Sequence, residues 1–524
     1  MKNLFLSMLV ASCVFACKSK SDPTPDPIIS TPVTIVCTAP AALDMTGATN
    51  WGDGTPASCT QTALQTLITT GGKINCNCGS APFTLTLTSS LSVPARKEVI
   101  IDGKDILTIS GNNAVRIFDK LAPANQGEGT LFAVQNMKLI NGRANNALEL
   151  GGAAILGRFF GSLKVINVTF NNNQSQLSHP DACGAVHTGG YKEVLFANCV
   201  FSNNKAANGG AVGTIGSSQT FINCKFENNE ATGTGGTFDK GGSGGAVYVD
   251  GVDQNGINNS MTMCGCTFIN NKAAYQAGAL NVIFYDAKGS ALTMDKCSFE
   301  GNSCTPDKGG AFYFMNGSLN LTNSTFADNT TPGLGGAIWT TNYNANISNC
   351  TFKGNNAVTG NDGLGGALAL DGSGTSKIAT VTNCTFAENR AGNFASAIFN
   401  GGRLTLTNTL FYKNKVGVGS QANADAGAVI NKQTDLIVNQ GNMQFPKEYT
   451  SQFGTADDNW ITPSVLTTDA GLLPLADNTG ATKTMAIPAT SPAKDKGTSA
   501  GAPTTDQRGK PRSGNVDIGA FEVQ

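Results

Sequence analysis

Residues 297–312 read CSFEGNSCTPDKGGAF, and the two motifs in this stretch decide the fold because both recur along the chain. The first motif is Phe-x-x-Asn, here Phe299 and Asn302, and it occurs nine times. The second is Gly-Gly-Ala followed by an apolar residue, here Gly309 to Phe312. A fixed pair of motifs at variable spacing indicates a solenoid whose coils carry insertions of different length. The repeated phenylalanines are Phe170, Phe201, Phe226, Phe268, Phe299, Phe326, Phe352, Phe386 and Phe411.

The residues two positions before each repeated Phe are small or apolar, and six of them are cysteines. Because strand side chains alternate between faces, this column and the Phe column share one face and are expected to point inward. The residues between the two columns are mostly polar and are expected to point outward. The cysteines are therefore interpreted as small buried apolar groups, neither bridged nor metal-binding. They are Cys199, Cys224, Cys266, Cys297, Cys350 and Cys384.

Each coil is expected to turn a corner at the repeated asparagine, for example Asn302. Its amide can bind the backbone of the turn, and asparagine tolerates the left-handed conformation that a tight turn requires. The glycines that follow, such as Gly309 and Gly310, allow the next tight corner. The repeat therefore predicts short parallel strands that stack coil upon coil.

Composition excludes several other classes of protein. Lys and Arg number 35 against 36 Asp and Glu, so the chain has no basic excess for binding nucleic acid. Only 14% of residues are charged and 40% are hydrophobic, which excludes a highly charged disordered chain. The 63 glycines argue against a helical bundle. His179 and His187 are the only histidines, which excludes a mechanism that needs a histidine cluster.

The paired motifs resemble the repeats of chlamydial-type polymorphic outer membrane proteins, within the pectin-lyase-like right-handed parallel β-helix superfamily. The resemblance covers roughly residues 140–430 and implies a cell-surface adhesin. We therefore expect an all-β fold, a single right-handed parallel β-helix of about a dozen coils over residues 83–440, with an N-terminal capping helix and a C-terminal cap.

The N-terminus is typical of an exported lipoprotein. A short apolar run ends at Cys17, so residues 1–16 are interpreted as a signal peptide and Cys17 as the lipidated residue. Cys13 is the alternative position for the lipid. Residues 17–36 are polar and proline-rich and are expected to form a flexible tether. We therefore expect a lipid anchor at the bacterial outer membrane or cell surface, with the leaflet left open.

Residues 37–82 are expected to cap the N-terminal end of the solenoid, because an open end would expose its core. Ser58 to Thr70 has apolar residues at helical spacing and is followed by Gly71, which predicts one amphipathic helix. Four cysteines here allow three full pairings in an exported chain, and the vicinity of Cys264 and Cys304 allows another disulfide. The four are Cys37, Cys59, Cys76 and Cys78.

Residues 441–524 contain no copy of the repeat and are interpreted as a C-terminal cap. The segments Asp506–Gly509 and Val516–Glu522 resemble the C-terminal region of choice-of-anchor Q proteins, which are bacterial surface β-helix proteins. An internal charge pair between Arg508 and Asp517 is expected within this cap.

The position after the Gly-Gly-Ala-apolar motif is expected to face outward, because the apolar residue before it faces inward. Aromatic side chains in this column would stack along one face as a platform for sugar rings. The alternative is that loops cover this face and the rings seal them against the coils. The function predicted is an adhesin or carbohydrate-binding protein, monomeric, with a polysaccharide or the surface of a host or neighbouring cell as its partner. The candidate ligand-binding residues are His187, Tyr248, Tyr313, Trp339 and Phe399.

A polysaccharide lyase or glycoside hydrolase acting on acidic polysaccharides is the alternative function, since this fold hosts such enzymes. Their Gly-His-Gly and Trp-Ile-Asp-His motifs are absent here, which favours a binding protein without a cofactor. His187, Tyr191 and Lys192 are the candidate base and charge-stabilising groups. Asp239 and Asp250 are the candidate carboxylates for acid–base work or for calcium. A passive envelope scaffold is the second alternative.

Overall fold

The chain is a right-handed parallel β-helix, which confirms the predicted fold class. Strands make up nearly all of its regular structure in the described residues, and the strands of the coils pair in parallel with the equivalent strands of the next coil. No helix in the described ranges is long and apolar enough to cross a bilayer. The computed structural model describes residues 34–122, 129–145, 151–158, 161–177, 183–190, 192–233, 240–252, 260–285, 289–358, 363–372, 377–393, 395–417, 430, 436–438, 441–446 and 466–524.

Four ladders of strands run along the solenoid, and five long strands each take part in two of them. The Gly-Ala ladder follows the Gly-Gly-Ala motifs and consists of Leu91–Val93, Phe118–Lys120, Ile155–Arg158, Val186–Gly189, Val212–Ile215, Val247–Asp250, Leu280–Ile283, Phe312–Thr322, Ile338–Ser348, Leu368–Asp371 and Ile398–Asn400. The middle ladder comes next in each coil and consists of Thr49–Trp51, Gly72–Cys76, Val99–Ser110, Leu131–Ile140, Ser162–Asn171, Glu193–Ala197, Gln219–Ile222, Met261–Cys264, Ala291–Asp295, Phe312–Thr322, Ile338–Ser348, Ile378–Thr382, Arg403–Thr407 and Leu436–Val438.

The other two ladders carry the Phe-x-x-Asn motif. The Phe ladder consists of Phe83–Thr86, Val99–Ser110, Leu131–Ile140, Ser162–Asn171, Val200–Ser202, Lys225–Glu227, Thr267–Ile269, Ser298–Glu300, Thr325–Ala327, Thr351–Lys353, Thr385–Ala387, Leu410–Tyr412 and Met443–Phe445. The corner ladder follows each asparagine and consists of Arg143–Ala144, Gln174–Ser175, Lys205–Ala206, Glu230–Ala231, Lys272–Ala273, Ser303–Cys304, Thr330–Thr331, Asn356–Ala357, Arg390–Ala391 and Lys415–Val416. The remaining elements are the 3-10 helix Pro56–Ser58, the α-helix Gln61–Thr70 and the hairpin Leu475–Ala476 with Thr484–Met485.

The α-helix Gln61–Thr70 forms where the apolar spacing predicts it. The side chain of Thr60 accepts a backbone hydrogen bond at its start, and Gly71, with φ of 85°, ends it. Leu64 and Ile68 are fully buried in the main core, so the helix covers apolar side chains of the first coils.

The inward columns pack as the repeat predicts. The nine phenylalanines are fully buried and stack face to face, with ring centroids of neighbours 4.5 to 5.2 Å apart. The six cysteines beside them are unbridged and buried. Burial raises the pKa of the thiols of Cys224, Cys266 and Cys297 well above the ordinary value, so these groups stay protonated at neutral pH.

The repeated asparagines differ from the expectation in one respect. The left-handed residue of each corner is the one before the asparagine, for example Asn228, with φ of 55° before Asn229. The repeated asparagine itself points inward and is fully buried. Its Nδ2 donates to the next asparagine along the stack, as from Asn229 to Asn271 at 3.0 Å, and to a backbone carbonyl. The inward position arises because the amide must satisfy the backbone groups left unpaired at the corner.

Residues 34–48, the N-terminal strap, do not cap the end of the solenoid but run along its side. A disulfide joins Cys37 to Cys264, and the backbone amides of Val36 and Cys37 both donate to the Oδ1 of Asn223. Farther along, Leu43 exchanges two hydrogen bonds with the side chain of Gln135. The expected cap over residues 37–82 stays a prediction, and its first residues belong to the strap, which crosses several coils before the first strand begins.

Residues 466–524, the C-terminal flank, likewise lie along the side of the solenoid. Lys483 pairs with Glu300 at 2.8 Å, and the amide of Asn408 donates to the carbonyl of Thr498 at 2.8 Å, several coils farther on. The expected cap over residues 441–524 needs correction, because Met443–Phe445 is still a strand of the Phe ladder and the flank covers a side as well as an end.

The ion pairs of this flank also differ from the expected one. Arg508 pairs with Asp506 at 2.7 Å, and Arg512 pairs with Glu522 at 2.8 Å. Asp517 instead accepts backbone hydrogen bonds, from Asp495 and from Val523. The expected Arg508–Asp517 pair is therefore wrong. The guanidinium of Arg508 pairs with the carboxylate of Asp506. The carboxylate of Asp517 binds backbone amides of the flank instead.

Candidate functional site

The aromatic column of the Gly-Ala ladder lies outside the main core, as expected, but it is not an open platform. Tyr313 and Trp339 are 5% and 8% exposed and belong to a separate apolar cluster with Ala369. Their rings stack with centroids 4.2 Å apart and planes 19° from parallel. Because stacking follows the solenoid axis, the ring faces are occupied by neighbouring coils. Phe399, beyond Ala369, is partly buried against the same cluster.

Charged groups surround this ring pair. The ammonium of Lys308 lies 4.5 Å from the ring centroid of Trp339, and the indole nitrogen donates to Asp371 at 3.3 Å. The hydroxyl of Tyr313 lies 3.1 Å from that of Thr341. Burial, and after it the Asp307 and Asp371 carboxylates, raises the pKa of Tyr313, so its phenol stays neutral across the physiological range.

A second polar pair sits at the corner that leads into this column. Tyr275 is hydrogen-bonded to Asp307, and burial raises the pKa of both groups above their ordinary values. The backbone carbonyl of Asp307 accepts from the hydroxyl of Thr331 at 2.6 Å, which fixes the corner. These contacts brace the corner beside the aromatic column.

The other candidate residues of this face are also buried or are separated from one another. His187 and Tyr248 are 1% and 5% exposed, with Gly213 in register between them. The Cys183 side chain fills the space that a side chain at Gly213 would occupy. Lys192 is exposed, and it does not share the buried position of His187.

Several candidates cannot be placed. Cys13, Cys17, Tyr191 and Asp239 lie outside the described residues. Asp250 ends the strand Val247–Asp250 and is partly buried. The catalytic sets that include Tyr191 or Asp239 therefore stay predictions.

The open outer face belongs to the middle ladder. One outward column there is made only of threonine and asparagine over seven successive coils, and every member is partly or fully exposed. We call this column the Thr/Asn stripe. At about 4.8 Å per coil, its six steps span roughly 29 Å. Its members are Thr220, Thr262, Thr293, Asn320, Asn346, Thr380 and Thr405.

The stripe is neutral and regular. Asn346 donates to Asn320 at 3.2 Å, so neighbouring amides already point along the stripe. Before the stripe the same column holds Leu195, which packs beneath the N-terminal strap, and after it stands Ile437. The strap is still close at the first members of the stripe, because Cys37 is bridged to Cys264 on the strand that carries Thr262.

The sequence contains a signal for the stripe that lies outside the two repeated motifs. Each member stands six residues before a repeated Phe, as Thr293 does before Phe299. An aligned repeat would have shown this column to be as uniform as the cysteine column. Polar outward residues in a strand are ordinarily interpreted as solvated, so the pattern alone does not mark this column as a binding site.

A comparison with protein families supports the fold over part of the chain. A family model described as "Right handed beta helix region" matches residues 281–433, less than a third of the chain. No curated protein matches the sequence. The crystal structure of PfbA, a surface adhesin of Streptococcus pneumoniae, is 12% identical, with a TM-score of 0.32, and the match covers 75% of this chain and 91% of that one. The crystal structure of the pectate lyase Pel9A is 13% identical, with a TM-score of 0.30 and coverage of 88% and 91%.

Proposed function

We propose that this protein binds a neutral polysaccharide at the cell surface through the Thr/Asn stripe. The observation that supports the proposal is the unbroken run of seven neutral side chains that donate and accept hydrogen bonds on an exposed β-face. Sugar hydroxyls also donate and accept, so such a run can pair with successive sugar units of an extended chain.

The regular backbone makes the stripe suited to a polymer. Each hydrogen bond contributes only about 0.5–1.5 kcal/mol, so one sugar would be held weakly. Several sites on one rigid strand ladder act together, because after the first contact the next sugar unit binds intramolecularly. Little entropy is lost by the protein, since the ladder already fixes the side chains at one spacing.

The lack of charge on the stripe favours a neutral polysaccharide over an acidic one. An acidic polymer would be favoured by a row of Lys or Arg, and none of the seven positions carries one. Arg403, at the start of the last stripe strand, is exposed, and Asp295, at the end of another, is half-buried. Opposite charges at the margins leave the stripe suited to a neutral chain.

Location at the cell surface is part of the proposal. Lipidation of Cys17 would anchor the chain, and residues 17–33 would then separate the lipid from the N-terminal strap. The buried Tyr313 and Trp339 keep a structural role in this scheme, because their faces are used for stacking between coils.

The test is retention on insoluble neutral polysaccharides, such as β-glucan, mannan and cellulose, followed by measurement of Kd for soluble fragments. The double variant Thr293→Ala/Asn346→Ala removes the two most exposed groups of the stripe. Two lost hydrogen bonds are expected to weaken binding by about tenfold. The matched control is Thr330→Ala/Asn356→Ala, which makes the same changes on the corner ladder and is expected to bind like the unaltered protein.

Equal affinity of the stripe variant and its control would contradict the proposal. So would failure of the unaltered protein to bind any neutral polysaccharide. Release of unsaturated fragments from an acidic polysaccharide would instead support the lyase alternative.

A further inference from the structure

Three cysteines meet at the N-terminal end of the solenoid, far along the chain from the Thr/Asn stripe. Cys59 and Cys78 form a disulfide, with Cα atoms 5.7 Å apart. Cys76 is a free thiol whose Sγ lies 3.3 Å from the Sγ of Cys78. A thiol in contact with a disulfide sulfur has the arrangement from which thiol–disulfide exchange starts.

The three sulfurs are held by different parts of the fold. Cys76 ends the strand Gly72–Cys76 and lies in register with Trp51 of the neighbouring strand. Cys59 immediately precedes Thr60, the N-cap of the α-helix. A Cβ added at Gly52 would lie 2.4 Å from the Sγ of Cys59, so only glycine lets this loop close over the disulfide. The contact is therefore enforced by strand pairing on one side and by the loop on the other.

We propose that these residues form a thiol–disulfide exchange centre, with Cys76 as the nucleophile, Cys78 as the central sulfur and Cys59 as the releasable thiol. The Cys76 thiol gives its proton to solvent, and the thiolate attacks the Sγ of Cys78. The Cys76–Cys78 bond forms while the Cys59–Cys78 bond breaks, and the electron pair leaves on Cys59, which then takes up a proton. One disulfide replaces another, so no external oxidant or reductant is needed.

The surroundings of the two outer sulfurs differ. The Sγ of Cys59 lies 3.4 Å from the backbone carbonyl oxygen of Trp51, and Cys59 stands directly before Thr60, the N-cap of the α-helix. Cys76 lies near a carboxylate. Burial raises the pKa of its thiol, and the carboxylate of Asp102 adds to the effect. The ammonium of Lys104 lies 3.9 Å from the Asp102 carboxylate and is the positive charge beside that carboxylate.

The pH dependence follows from the protonation state of the nucleophile. At neutral pH the Cys76 thiol is protonated, so its attack on the Cys59–Cys78 disulfide is slow. As pH rises toward the elevated pKa, the thiolate fraction increases and exchange accelerates. Release of Cys59 would remove the covalent link between the start of the α-helix and Cys78 while keeping one disulfide in the trio.

The experiment uses the intact folded protein. It is incubated with N-ethylmaleimide at pH 7 and at pH 9, quenched in acid, digested at acidic pH and mapped by mass spectrometry. At pH 7 Cys59 is expected to stay unlabelled within the Cys59–Cys78 peptide. At pH 9 we expect labelled Cys59 together with a Cys76–Cys78 peptide, formed at an initial rate on the order of a hundredfold that at pH 7, because the thiolate fraction of Cys76 rises about tenfold per pH unit below its pKa.

The variant Cys76→Ser separates exchange from simple opening of the disulfide, and it is expected to abolish labelling of Cys59 at both pH values. Cys224 and Cys266 report on unfolding, because they are buried free thiols of the core and are expected to stay unlabelled throughout. The proposal is overturned if Cys76 alone is labelled at pH 9, or if Cys59 is labelled equally in the Cys76→Ser variant.

Discussion

At the residue scale, the repeated asparagine explains how corners can repeat along a solenoid without leaving backbone groups unpaired. Asn302 uses all of its hydrogen-bonding capacity. Its Nδ2 donates to Asn329 and to the carbonyl of Phe268, and its Oδ1 accepts the backbone and side-chain amides of Asn271. Since every bond crosses to a neighbouring coil, the side chain joins coils as well as closing a turn.

Asn302→Ala is therefore expected to lower the free energy of unfolding by roughly 3 kcal/mol, because it leaves buried amides and a carbonyl unsatisfied. Urea denaturation followed by circular dichroism measures the change. The control is Asn346→Ala, an exposed asparagine of the stripe, which is expected to change stability by less than about 0.5 kcal/mol. Equal shifts in the two variants would show that the buried ladder adds nothing to stability.

At the scale of the element, the N-terminal strap shows how a segment without regular pairing is held to a β-helix. Asn223 mimics a paired strand by accepting from two backbone amides of the strap and donating to the carbonyl of Cys37. Ala39 and Leu43 pack on the outward apolar cluster that includes Ile166. The disulfide to Cys264 closes this arrangement.

Replacing Cys37 and Cys264 together by serine is expected to release the strap while the solenoid stays folded. A disulfide contributes about 2–4 kcal/mol, which corresponds to more than tenfold faster proteolytic cleavage within residues 34–48. Limited proteolysis with mass mapping measures the rate, and circular dichroism verifies the fold. Gln135→Ala removes only the hydrogen bonds to Leu43 and is expected to have a smaller effect. Unchanged cleavage in the serine variant would mean that packing alone holds the strap.

At the scale of the whole molecule, both terminal segments lie against the same corner, between the middle and Phe ladders. The strap binds Asn223 there, and the flank binds Asn349, Asn383 and Asn408. These four asparagines are all left-handed, with φ between 49° and 51°. An asparagine in this conformation presents its amide outward. Gly265 and Lys296 occupy the same corner in two intervening coils, so the strap and the flank dock on separate runs of asparagines.

A chain that stops at residue 446 is expected to associate, because it lacks the C-terminal flank. Leu410, Tyr412 and Met443 are buried by contacts with that flank, and each apolar side chain uncovered costs about 1.5–3 kcal/mol. Size-exclusion chromatography with light scattering and binding of a hydrophobic dye measure the effect. Gln507→Ala, which removes buried hydrogen bonds to Thr351 and Thr325 but leaves the flank in place, is the control expected to stay monomeric. A monodisperse truncated chain with low dye binding would contradict this prediction.

The inward architecture could be derived from the sequence because it repeats. Phe299 and Cys297 alternate with a polar residue, and that period fixes which side chains face the core in every coil. The helix before the first coils was also predictable, since the apolar spacing and Gly71 are local signals. The fold class therefore follows from the pattern alone.

Tertiary structure alone decided which outward columns meet solvent. Trp339 and Thr293 are both outward in the sequence pattern, yet one is sealed by stacking and the other is open. The pairing of Cys37 with Cys264, 227 residues apart, was equally beyond reach of the sequence. The alternation of side chains along a strand shows only which residues share one side of that strand. Segments that are distant in the sequence decide which outward side chains are covered. No local repeat in the sequence indicates where those segments lie.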